Sequence, residues 1–289
     1  MPMDGKTKTD SGCRRRCFFN ELIFKREFQK QKGKKMDVRS LPMFYKNPVP
    51  LNMETQAKLT VSPSPHVFRF AASTQFVLLA GVEFFDAGRQ FPIIFTATED
   101  RNILPVALLG LEKGENLFIN DEGAWSGNYI PAYVRRYPFI TTESNEGKMI
   151  VCYDEAFDGF NLEGGSPLFE GGEPTAKMQE IQSFLQDYYM QMKKTGKFCN
   201  QLLETKMLRQ IDAQANMSDG RTYPLKGMLV VDEQKLAQLP DADIVRLYRG
   251  GQLALIYAHW MSLRNFGVLI DRKAKSLMPK KETSKSVMQ

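Results

Sequence analysis

The sequence predicts an α+β fold: one domain built on a mixed or antiparallel sheet with several helices, flanked by basic, disordered tails. Three observations predict it. Apolar runs come in pairs separated by polar turns, as antiparallel hairpins require. Stretches with three- and four-residue apolar spacing lie between those pairs. Strands and helices do not alternate one for one, which argues against a regular parallel βαβ array. Of 289 residues, 43% are hydrophobic and 25% charged, enough apolar surface for a sizeable core.

Taken in order, Lys58–Val61 and Val67–Phe70 read as short strands around Ser62-Pro63-Ser64-Pro65. From Ser73 the pattern is helical, with Phe76, Leu79, Ala80 and Phe84 on one face, Ser73 or Thr74 as cap, and an end near Gly88. Phe91–Ala97 and Leu104–Leu111 form a buried hairpin across Glu99–Asn102, and Asn116–Ile119 adds a strand. Pro131 suits the first turn of a short helix that Pro138 helps to end. Two strands bracket Glu143–Gly147, the second being Met149–Tyr153, and a glycine-rich acidic loop follows from Asp154 to Gly172.

The longest helix opens at Glu173-Pro174-Thr175 and carries Met178, Ile181, Phe184, Leu185, Tyr188 and Met192 as a core stripe. Gly196 is expected to break it. Arg209–Ala215 and Tyr223–Val231 make a hairpin over Asp219-Gly220. Glu233–Leu239 is a short helix, and Asp241 caps a longer one to about Asn265, interrupted or weakened at Gly250-Gly251.

Charge divides the chain more sharply than composition. Residues 1–48 hold 13 Lys/Arg against 5 Asp/Glu, residues 271–289 hold 6 against 2, and residues 49–270 hold 20 against 26. The net +6 therefore belongs to the ends. The organisation expected is a basic, disordered extension over 1–42, a domain over 43–270 and a basic, disordered tail over 271–289. The domain lacks the basic face that specific nucleic-acid binding needs, although the tails can give weak electrostatic adhesion. Phe19, Leu22, Ile23 and Phe28 have helical spacing among lysines and arginines, readable as a membrane-surface helix or as a disordered arm. Unbroken apolar runs are short, so no transmembrane segment is expected. With no secretory signal pattern, a soluble cytoplasmic protein is the expectation.

Candidate chemistry is sparse. Four cysteines suit buried or exposed thiols better than a disulfide framework. Two histidines cannot make a multi-histidine metal site, and no cofactor or metal is implied. The acidic Asp154, Glu155 and Asp158 suit a solvated loop better than a cation site. His259 is the weak catalytic candidate, with Ser262 one helical turn away, but helical neighbours rarely offer a line of attack. The best binding candidate is the segment holding Trp125, Tyr129, Tyr133, Arg135, Arg136 and Tyr137. Its arginines suit a carboxylate or phosphate and its rings suit stacking; the alternative is a core segment with internal ion pairs.

Three runs carry a resemblance. They are Asn116-Leu117-Phe118-Ile119 with Trp125 and Tyr129 through Phe139; Pro167-Leu168-Phe169 with Gly172-Glu173-Pro174-Thr175; and Gly251 through Leu263. In order and spacing over about 43–270 the chain resembles the bacterial SapC-like family, associated by name with paracrystalline surface layers. The resemblance implies a non-enzymatic accessory or binding protein linked to surface-layer or envelope processes, with an unknown protein or small-molecule partner. It supplies no catalytic residues. The alternative expectation is an enzyme on a small or peptide-like substrate, using His259 with an arginine anion anchor in one concave pocket.

Overall fold

Runs of β-branched and aromatic residues supply strands that a long amphipathic helix can cover. Among the described residues the strands form two sheets of three or more strands beside two two-stranded ladders, Thr60–Val61 with Ser166–Pro167 and Phe169–Glu170 with Glu173–Pro174. The computed structural model describes residues 41–62, 68–98, 100–143 and 147–278. In chain order the strands are β1 (Pro48–Pro50), β2 (Thr60–Val61), β3 (Phe76–Leu78), β4 (Ile93–Ala97), β5 (Ile103–Leu108) and β6 (Phe139–Glu143). They continue with β7 (Met149–Asp154), β8 (Ser166–Pro167), β9 (Phe169–Glu170), β10 (Glu173–Pro174), β11 (Leu208–Asn216) and β12 (Thr222–Val231). The helices are α1 (Phe84–Ala87), α2 (Ala132–Arg135), α3 (Ala176–Glu204), α4 (Glu233–Ala237), α5 (Asp241–Arg249), α6 (Gln252–Ser262) and α7 (Phe266–Ser276).

The larger sheet has five antiparallel strands in the order β11-β12-β4-β5-β3, and a second has three in the order β1-β7-β6. This is the expected α+β class. The hairpins β4–β5, β6–β7 and β11–β12 form where the sequence placed them. In β11–β12 the register shifts between Ile211 and Ala213, and Gly227, at φ 72°, donates its N–H to Asp212 Oδ1 across the bulge.

Helix α3 joins the two sheets, touching β5 and β6. Thr175 caps it by accepting from Met178 N, and it buries Met178, Leu185, Tyr188, Phe198 and Leu202. It runs through Gly196 without the expected break. A glycine costs a helix about 1 kcal/mol, whereas burying one residue such as Phe198 or Leu202 beyond it contributes roughly 1.5–3 kcal/mol.

Other departures have similarly physical causes. The helix expected from Ser73 is instead strand β3, a 3-10 turn at Gly81–Glu83 and the short α1, because Val77 and Leu78 pair with β5. Of the second strand expected at Val67–Phe70, Val67 lies outside the described residues, and Arg69 and Phe70 form a 3-10 turn with Ala71. Asn116–Ile119 makes only an isolated bridge, Ile119 to Trp125. The last helix is divided into α5 and α6 at Gly250-Gly251, where an interruption is expected, since Gly251 adopts φ 70° at their junction. The expected tail boundary at 271 falls inside α7, whose Lys273 is buried between Glu112 (2.5 Å) and Glu115 (2.6 Å). The helix-spaced stretch Phe19–Phe28, Cys13, Cys17, His66 and the chain beyond 278 lie outside the described residues.

Among the described residues, the helical run Gln252–Ser276 is long and apolar enough to cross a membrane by length and composition, contrary to the expectation drawn from unbroken runs. Its apolar residues are interspersed with His259, Ser262, Arg264 and Asn265. In this fold one side of the run is buried through Ile256, His259, Ser262 and Leu269, and its first helix, α6, contacts β4 and β12.

That contact is specific. Strands β12 and β4 meet at one register pair, Leu229 with Phe95. Beyond it, side chains of α6 replace a strand as hydrogen-bond partner. Val231 N donates to His259 Nε2 (3.1 Å), and Val231 O accepts from Trp260 Nε1 (2.8 Å). Ile93 N donates to Ser262 Oγ (2.9 Å), while Ile93 O lies 2.8 Å from His259 Nδ1. Because Nε2 accepts from a main-chain N–H, Nδ1 carries the proton and donates to Ile93.

Burial holds the His259 pKa down at about 4, against an ordinary 6.5. The unfolded chain therefore takes up a proton on acidification before the native state does. Stability from this residue is complete above about pH 6.5 and is lost as pH falls toward 4. Urea titrations across that window are expected to show a loss of about 3 kcal/mol in the wild type that is missing in His259→Gln.

Candidate functional site

The segment from Trp125 to Tyr137 is fixed by aromatic packing and by two buried carboxylates. Trp125 stacks at 6.0 Å and 21° on Phe118, meets Phe68 and Phe91 edge-on, and donates Nε1–H to Tyr129 O. Its ring is therefore part of the core contact network. Tyr129 donates its hydroxyl to Glu83 Oε1 (2.8 Å), and Tyr137 donates to Asp154 Oδ2 (3.1 Å). Pro131 supplies the extended residue that precedes α2, as its ring geometry suits.

Glu83 is 4% exposed and accepts also from Ala80 N (2.8 Å) and Ala132 N (2.7 Å). Desolvation raises its pKa above the usual carboxylate value, against the lowering effect of those bonds and of the Arg135 charge. Asp154 is fully buried and accepts from Lys46 N, Asn47 N and Ala156 N as well as Tyr137. It is a main-chain clamp whose oxygens are already engaged. Among the described residues no group of three or more His, Cys, Asp or Glu side chains could hold a metal ion.

The two arginines keep aromatic neighbours but differ in burial. Arg135 is exposed, donates Nε–H to Ile130 O (2.9 Å) and lies 5.2 Å from the Phe184 ring centre. Arg136 is buried, with its guanidinium 3.9 Å from the Tyr133 ring centre, 5.0 Å from Tyr188 and 5.9 Å from Tyr45. Such ring contacts suit a weakly hydrated guanidinium. Both arginines line one surface groove of about 490 Å³ between α2 and α3, with Lys177, Ile181 and Phe184 on the α3 side. Its one acidic residue, Glu180, is held by Lys177 at 2.9 Å. The groove thus combines cationic groups with an apolar wall.

Of the six residues expected at a binding site, only Arg135 and Arg136 line this groove. Tyr129 borders a different, smaller cavity of about 300 Å³ with Asp86 and Arg89. Trp125, Tyr133 and Tyr137 serve packing and the carboxylate clamps. Sequence reasoning does not mark Lys177, Glu180, Ile181 and Phe184 as site residues. Their i, i+3, i+4, i+7 spacing does place them on one helix face, but α2 packed beside that face is a tertiary fact. His259 is 0% exposed and bonded to main chain through both ring nitrogens, so it has no open line to a substrate. Ser262 is likewise committed, donating to His259 O and accepting from Ile93 N. Neither residue lines the arginine groove. Cys152 is fully buried, and desolvation pushes its thiol pKa up to about 12, which removes it as a nucleophile.

Fold and groove together define an α+β protein with a cation-lined surface cleft. The chain belongs to the SapC family, whose model matches residues 51–269. No curated protein and no solved structure matches the chain.

Glu83→Ala is expected to leave two buried main-chain N–H groups and the Tyr129 hydroxyl without their acceptor, lowering stability by about 2–4 kcal/mol in denaturant titrations. Tyr129→Phe, which removes one donor, should cost about 1 kcal/mol. Glu83 also has a pH signature. Its raised native pKa gives a contribution complete below the ordinary 4.5 and lost as pH rises through the native value, and Glu83→Gln should flatten that dependence.

Proposed function

We propose that this SapC-family protein is a non-enzymatic accessory or binding protein that holds an anionic ligand in the groove between α2 and α3. The observation that carries this reading is the convergence of Arg135, Arg136 and Lys177 on one cleft walled by Ile181 and Phe184. A carboxylate or phosphate group suits the cations, and an apolar or aromatic body suits the wall. Lys177 is partly neutralised by Glu180, so the exposed Arg135 is the principal anchor, with Arg136 beside it in the groove.

Arg136 is preset by the tyrosines around it, which reduces the ordering needed when an anion arrives. Arg135 is the exposed partner and the one a ligand meets first. The family resemblance links this activity to surface-layer or envelope processes, and such a ligand could be a free molecule or an acidic group on a protein partner. A cytoplasmic site of action is part of the same proposal. An enzyme working through His259 has no geometric support, because that imidazole is spent on strand contacts.

Calorimetric titration of the full chain with inorganic phosphate and a panel of aromatic and aliphatic carboxylates tests the reading. Binding of at least one probe is expected, weakened roughly tenfold or more by Arg135→Ala with no change in melting temperature. Affinity that is the same in wild type and variant would remove the groove from the function.

A further inference from the structure

The C-terminal helices leave an apolar face that no element of the described chain covers. Tyr248 and Met261 are each 73% exposed, Tyr257 53% and Val268 36%. On the continuous run from α6 into α7, Tyr257, Met261 and Val268 recur at four- and seven-residue spacing and share one side. The opposite side is the buried one, holding Ile256, His259 and Leu269, with His259 bonded to the sheet at Ile93 and Val231. Core packing therefore accounts for one stripe of this helix and leaves the other without a partner. This is why so apolar a run, with a composition sufficient for a membrane, has only 28% of its most apolar window buried.

Charge identifies the occupant. Residues 49–270 carry a net negative charge, yet over α5–α7 and the turn that follows, from Asp241 to Met278, the sequence holds six Lys/Arg against three acids, Asp241, Asp243 and Asp271. Two of the six are used internally: Lys273 by Glu112 and Glu115, and Arg272 by Leu117 O and Ser126. Arg264 and Lys275 are exposed on the run that carries the apolar stripe, and Arg249 is exposed at the end of α5, next in sequence to the exposed Tyr248. Arg246 is exposed as well but pairs with Asp243 at 3.1 Å. The sequence that follows adds Lys280, Lys281 and Lys285 against Glu282. Tyrosine and methionine flanked by cations, on a helix lying along the surface, match the requirements of an anionic bilayer interface. A neutral apolar partner would leave those cations without counter-charges.

We propose that the α5–α7 face docks the protein on an anionic membrane surface. The helices lie in the interfacial plane, Tyr257 and Met261 enter the headgroup–acyl boundary, and Arg249, Arg264 and Lys275 meet lipid phosphates. The run does not span the bilayer, because His259 and Ser262 hold it to β4 and β12. The α2–α3 groove takes no part in this contact, so the inference stands independently of the anion-binding reading above.

Co-sedimentation of the full chain with phosphatidylcholine vesicles, with and without phosphatidylglycerol, is the test. Binding is expected only with phosphatidylglycerol and is expected to weaken as salt is raised. Tyr257→Ser/Met261→Asp and Arg249→Glu/Arg264→Glu should each lower partitioning by roughly tenfold or more, with an unchanged melting transition. Replacing Lys280, Lys281 and Lys285 by Gln should leave most of it. Tyr257→Trp reports insertion directly, through quenching of the introduced indole by brominated lipid in the otherwise intact fold. Several results would overturn the proposal: equal binding to neutral vesicles or none to either, face variants that bind like the wild type, or loss on neutralising the tail alone. No quenching in the Tyr257→Trp variant beyond that of the wild type, or dissociation of an oligomer by the face variants without loss of vesicle binding, would do the same.

Discussion

The contact on which the larger sheet depends is the set of hydrogen bonds between α6 and the facing residues Ile93 and Val231. Strands β4 and β12 share only one register pair, so the sheet needs another means of satisfying main-chain groups where they separate. His259, Trp260 and Ser262 provide it, taking the N–H and the C=O of both strand residues. One turn of helix thereby acts as a local substitute for a strand. A buried neutral imidazole serves well here because it is both donor and acceptor, and burial keeps it uncharged across the neutral range. The feature that most resembled a catalytic pair is thus the fastening of the fold.

The same logic of buried polar groups places the arginines. Glu83 and Asp154 each gather main-chain N–H groups and one tyrosine hydroxyl, at the two ends of the segment from Tyr129 to Tyr137. Between them α2 has only one helical turn, too short to be stable by itself. The carboxylates and the packing of Tyr133 and Val134 set its position, and with it the positions of Arg135 and Arg136 against α3. Rigid support of this kind is what a recognition groove needs. It also explains why most rings in this segment face inward: they are the support, and the cations are what reaches the groove.

Much of the fold was legible in periodicity. The hairpins at Ile93–Leu108 and Leu208–Val231 and the helix from Ala176 were readable because alternation, turn residues and a cap agreed. Readings failed where local pattern and tertiary contact disagreed. Phe76, Leu79, Ala80 and Phe84 fit a helical face, yet pairing of Phe76–Leu78 with β5 makes the start of that stretch a strand. Gly196 signals a break, yet burial on both sides carries α3 through it. Lys273 reads as a solvated tail residue, but Glu112 and Glu115 lie more than a hundred and fifty residues earlier in the chain. For the site, Arg135 and Arg136 are identifiable as unusual cations among aromatics, whereas Ile181 and Phe184 on α3 belong to a stripe that reads as ordinary core and Lys177 and Glu180 carry no local mark of a site.

By itself, the sequence determined the class of fold, the distribution of charge between the ends and the domain, and the SapC resemblance. These depend on residue type and local spacing, which need no knowledge of distant contacts. Only the tertiary structure decided that His259 fastens strands, that two arginines and α3 form a groove, and that one face of the C-terminal helices stays uncovered. Each of those facts depends on which surfaces meet, and burial, pairing and desolvation are properties of the meeting. A histidine, an arginine or an apolar helix carries no fixed role until its neighbours set its solvation and its partners.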